Sequence, residues 1–135
     1  MATFNKFNSF VEAIAEKKHD LASDQLKIAL SAVAPTATDA VLTDLTEIAY
    51  TNLSTRDITT TSSSQTSGTY KLVLTDLVLT ASGTVADFRY VTIYNDTATN
   101  DELIGFFDYG STVSMLDTDT FTIDFDASTG ILTIA

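Results

Sequence analysis

The chain has 135 residues, with Asp and Glu numbering 18 against 7 Lys and Arg, one histidine and no cysteine. That length supports one domain with a single core, and 44% hydrophobic with 19% charged residues argues against global disorder. The net charge of −11 disfavours nucleic acid and anionic membranes, which call for clustered cations; without cysteine there are no disulfides, thiolate nucleophiles or Cys-ligated zinc.

Residues 1–24 form an N-terminal helical segment in this reading. Phe7, Phe10, Val11 and Ile14 recur at helical spacing, with Glu12, Glu16, Lys17 and Lys18 on other faces. Ser9 is the expected N-cap, with Glu12 as its capping-box partner. His19 is the expected closing residue, where an imidazolium complements the helix dipole. Phe4, Phe7 and Phe10 stand three apart; they pack a core or dock onto another subunit. The opening MATFNKFNSF has no apolar h-region, and no window approaches about eighteen apolar residues, so no membrane-crossing segment is expected.

Residues 25–50 hold a first strand and a connection. Leu26, Ile28 and Leu30 alternate, and Pro35 ends the run. From Asp39 to Tyr50 the pattern fits either a helical stripe or extended chain. Residues 51–69, TNLSTRDITTTSSSQTSGT, have few large apolar side chains and predict an exposed loop or arm. Within it Arg56, one of two arginines, adjoins Asp57; the pair is a contact candidate or a solvated pair.

Residues 70–135 read as an antiparallel β region. KLVLTDLVLT slips phase between Leu74 and Leu77, predicting a bulge or burial on both faces. Ala86 to Tyr94 places Phe88, Tyr90 and Tyr94 on one face and Arg89, Val91 and Ile93 on the other. Leu103 to Phe107 is a further strand, Asp108-Tyr109-Gly110 an expected turn, and Phe121, Ile123 and Phe125 alternate in another. Ile131 to Ala135 closes the chain as a final strand. The fold class is mainly β: an antiparallel β-sandwich or jelly-roll-like domain with a short N-terminal helix, spanning 1–135 as one domain.

Little in the sequence points to catalysis. Asp117, Asp119, Asp124 and Asp126 are either a solvated acidic face or a cation site, but no EF-hand spacing accompanies them. His19 with Asp20 or Asp24 and a serine would make a triad, yet no Gly-x-Ser-x-Gly elbow occurs. The four glutamates, Glu12, Glu16, Glu47 and Glu102, are the carboxylates a glycosidase would draw on. No catalytic residue, cofactor or metal site is assigned.

Several blocks together are distinctive: FxxFxxFVEAIAEKKHDLxSDxLKIALS, then APTATDAVLTDLTEIA, FRYVTIYNDT, LIGFFDYGS and FTIDFDxxTGILTI. In these the chain resembles a group of small tailed-bacteriophage virion proteins over most of its length, except the Ser/Thr tract, which lacks a glycine-rich loop expected after the TEIA block. The resemblance implies a non-enzymatic structural protein, preferably a capsid decoration (cement) subunit on the outer head surface. Its partners would be the major capsid protein and copies of itself, with assembly in the host cytoplasm. Phe4, Phe7, Phe10, Arg56 and Asp57 are the expected contact residues. A tail tube, tip or fibre-associated subunit is the alternative; a virion glycan hydrolase and a host-glycan-binding module rank lower.

Overall fold

The computed structural model describes residues 2–135. β1 (Asn5–Lys6) leads into α1 (Ser9–Ala15), followed by β2 (Leu26–Ser31) and a single 3-10 turn at Leu42–Asp44. The chain then runs through β3 (Asp57–Ile58), β4 (Thr60–Thr66), β5 (Thr69–Leu74) and β6 (Leu77–Thr80). It ends with β7 (Val85–Asn95), β8 (Leu103–Met115), β9 (Thr120–Ile123) and β10 (Leu132–Ile134). The protein is thus mainly β, antiparallel and sandwich-like, with one short helix.

The strands form a five-stranded sheet, β1-β8-β7-β2-β3, faced by a three-stranded sheet, β10-β5-β4, and a pair, β6-β9. Between the layers lies the main core, which includes Ile28, Leu30, Leu72, Leu74, Leu79, Phe88, Ile93 and Phe125. The other face of the large sheet is covered as well. Phe7, Ala29, Tyr94 and Leu103 are buried there beneath Leu42 and Leu45. That double cover buries Ile28 to Ser31 of β2 and Val91 to Asn95 of β7 on both faces. It also settles the Asp39–Tyr50 segment, which is irregular chain draped over the sheet around one 3-10 turn.

The helix is shorter than its periodicity predicts. Asn8 already has helical dihedrals and occupies the cap without a side-chain bond, so the Ser9–Glu12 capping box does not form. Phe10 and Ala13 are buried while Val11 is 52% exposed. Lys17 is left-handed, and Lys17 N–H and Lys18 N–H donate to Ile14 O and Ala13 O at 3.4 and 2.9 Å. This is a Schellman closure, which satisfies the last carbonyls from the backbone. His19 therefore does not close the helix.

Residues 51–56 of the Ser/Thr tract are irregular chain, but the rest is not a loop or arm. β4 pairs with β5 from Thr60↔Leu74 to Thr66↔Thr69. Ser67 and Gly68, both at positive φ (51° and 82°), make the two-residue hairpin turn. β5 supplies the apolar side chains, and β4 lies at the sheet edge with mostly solvated hydroxyls. Thr61–Thr75 and Ser63–Tyr70 hydroxyls bond at 2.7 and 2.9 Å.

Burial on both faces does occur just before the phase slip at Thr75-Asp76, since Leu72, Val73 and Leu74 are all buried. The slip itself is not a bulge but a change of sheet. β5 stays in one sheet while β6 pairs with β9 in another. Asp76 stitches the crossing by accepting Phe125 N–H at 2.9 Å. Nor is Asp108-Tyr109-Gly110 a turn: β8 runs through it, with a register shift opposite Arg89. That shift turns Phe88 into the same core as Val91 and Ile93, rather than onto the face of Tyr90.

Phe88 is fully buried at the centre of this core. Truncating it with Phe88→Ala is expected to cost about 3–5 kcal/mol. Val78→Ala, at a 51% exposed position, should change stability by under about 0.5 kcal/mol. Denaturant unfolding of both variants checks this.

Candidate functional site

The expected contact residues scatter. Phe7 sits in the smaller core and Phe10 in the main one, at 0% and 4% exposure, so neither presents surface to a partner. The reason is local: the chain is extended through β1 and helical only from Ser9, so a spacing of three does not keep the rings on one face. Phe4 alone stays partly open, lying across Gly105 and packing on Phe107 with centroids 5.5 Å apart. A side chain at Gly105 would strike Phe4 and meet Asn5 O at 2.9 Å.

Arg56 is an internal clamp. Its guanidinium lies 3.7 Å from the centre of the Tyr50 ring and donates to Ile28 O at 2.7 Å. Tyr50 donates to Glu47 at 2.5 Å and accepts Leu30 N–H at 3.0 Å; burial pushes its phenol well above the usual range. The cluster ties the 47–56 chain to β2. Asp57 does face solvent, 3.6 Å from the Lys27 ammonium, an exposed pair that contributes little.

His19 heads the most buried polar cluster. Asn95 Oδ1 accepts Thr97 N–H and Ala98 N–H at 3.0 and 3.1 Å, which fixes the amide's orientation. Asn95 Nδ2 then donates to Asp24 at 2.6 Å and to His19 Nδ1 at 3.0 Å. An accepting Nδ1 places the neutral ring's proton on Nε2, and Nε2 has no partner within the described residues. A second proton on the ring would oppose Asn95 Nδ2, donor against donor. This cluster pins the 19–25 chain to the end of β7, and among the described residues no serine hydroxyl bonds to His19, Asp24 or Asn95.

The aspartates near the C-terminus diverge. Asp119 accepts Leu116 N–H at 2.8 Å; Asp126 accepts Ser128 N–H at 2.7 Å and the Thr129 hydroxyl at 2.7 Å. Among the described residues, no three His, Cys, Asp or Glu side chains gather as metal ligands. Glu12 and Glu102 both line a recess of ≈ 220 Å³, with Lys18 and Ser9.

The larger surface feature is a groove of ≈ 440 Å³. One wall is the large sheet, through Val91, Phe107 and Tyr109. The opposite wall is β9 and the chain after it, through Phe121, Ile123 and Ile131. Phe4 closes one end, and Asp124 and Asp126 stand at its margin. Tyr109 is 54% exposed and meets Phe121 edge-on at 5.2 Å. The sequence carries no local sign of this groove, because Tyr109 on β8 and Phe121 on β9, about twelve residues apart, become neighbours only through the sandwich.

No protein-family model matches the chain, and neither a curated protein nor a solved structure matches it.

Burial holds His19 below its usual 6.5, against the opposing pull of Glu102 and Asp24. The unfolded chain therefore takes up a proton that the folded chain refuses. Stability is full above about pH 6.5 and falls as pH drops toward the folded value, by about 1.4 kcal/mol per unit at most. Denaturation midpoints should be level from about pH 8 to 7 and fall from about pH 6.5 to 5. His19→Gln, whose amide oxygen still accepts from Asn95, should flatten that fall. An unchanged slope would assign it to other groups.

Proposed function

We propose that the chain is a non-enzymatic virion structural protein of a tailed bacteriophage: a capsid decoration protein on the outer head surface that ties major capsid subunits together. The observation that carries this reading is the open, mainly apolar groove between β8 and β9, framed by carboxylates. Such a surface is built to seat a protein neighbour, since exposed apolar concavities mark interaction sites. The blocks behind the sequence resemblance support it from another side. They include α1, β2 and most of β7 and β8, the framework on which the groove is mounted. The acidic surface suits a subunit that must stay soluble when crowded. Contacts with copies of itself belong to the same proposal, as does assembly in the host cytoplasm.

Quantitative mass spectrometry of separated heads and tails tests the reading. Copies on the order of hundreds per head are expected, as a repeating shell lattice requires. A few copies confined to tails would replace it with a tail component. Absence from both would contradict the virion role and return attention to Glu12 and Glu102 as a hydrolase pair.

A further inference from the structure

We infer that the groove receives one extended segment of a different polypeptide, apolar at alternate residues and bearing Lys or Arg between them, added alongside β8. This deepens the proposed function, since it rests on the groove being the contact face. Three observations carry it.

The first is backbone supply. β1 pairs with β8 only at Asn5↔Phe106 and Lys6↔Gly105, while β8 continues to Met115. Beyond Phe106 that side of β8 has no strand partner among the described residues. Among the described residues β9 likewise pairs with β6 alone. Two strands with one unpaired edge each therefore flank the groove. Unpaired edges are templates for a further strand.

The second is the trough itself. Phe121 and Ile123 are two residues apart on β9, and β8 adds Phe107 and, from the start of its bulge opposite Arg89, Tyr109. The β9 spacing matches the period of an extended chain, which sends every second side chain to one face.

The third is charge. Asp124 is exposed at the rim and Asp126 stands beside it, while Lys71 behind the turn is engaged with Ser128 O at 3.0 Å. A second copy of this chain would bring another net −11 to that rim. A cationic partner is attracted instead, so the occupant is heterotypic.

The probe is an acetylated, amidated hexapeptide alternating valine with lysine, compared with the same peptide carrying glutamate for lysine. Binding to the full chain is followed by NMR shifts of Val91, Ile123 and Ile131. Saturable shifts centred there are expected. Asp124→Lys, or glutamate in place of lysine, should weaken binding by about tenfold or more, and added salt should weaken it too. Tyr109→Ala, at the exposed wall, should weaken it without unfolding the chain. Glu16→Lys, on the exposed helix end, should leave it unchanged. Shifts elsewhere, equal affinity for both peptides, or self-association filling the groove would overturn the inference. Isolated heads separate the two readings. Heads that bind the chain with no peptide competition sink the inference alone; peptide binding without head binding sinks the decoration role alone.

Discussion

On β8, Tyr109 to Thr112 stand opposite Arg89 alone on β7, because Phe88 pairs with Val113 and Tyr90 with Asp108. Arg89 holds this mismatch with a bidentate grip on Asp108, at 2.7 and 3.0 Å. Its hydrogen bonds keep the Asp108 carboxyl below the usual carboxylate range. Asp108 also accepts Gly110 N–H at 2.8 Å, where a left-handed φ of 94° makes glycine the residue that fits. A bulge of this kind re-aims side chains on both strands. Phe88 turns into the main core, and Tyr109 is sent toward Phe121. The core and the groove thus share one irregularity.

Around that feature the protein uses its polar groups as internal fasteners. Arg56 on Tyr50 secures the chain before β3, and His19 with Asn95 secures the chain before β2. Both clusters join irregular segments to the central sheet, which lets long connections remain ordered. Residues that looked functional because they were rare, the single histidine and one of two arginines, serve the fold. The trough between β8 and β9 is left as an open apolar concavity.

How much was legible follows from range. Alternation gave β2, β7, β9 and the closing strand, since each presents an apolar face over several residues. The β4 strand was not legible as one: its own side chains are hydroxyls, and its pairing is dictated by β5 and by the Ser67-Gly68 turn. Phe88's facing was misread because period-two counting fails across a bulge. Phe4, Phe7 and Phe10 shared a spacing but not a structure, since the helix begins only at Ser9. The groove had no local signature, as its walls come from strands that are not hydrogen-bonded to each other.

The most direct test of the groove as the contact face uses the absence of cysteine. Ala2→Cys places a thiol at the groove, and Glu16→Cys places one on the distant exposed helix end. Maleimide labelling rates are compared between the free chain and intact particles carrying each variant. The account predicts that the thiol at position 2 reacts freely in the isolated protein and is strongly protected in particles, while that at position 16 reacts in both. Equal reactivity at position 2 in both states would contradict it.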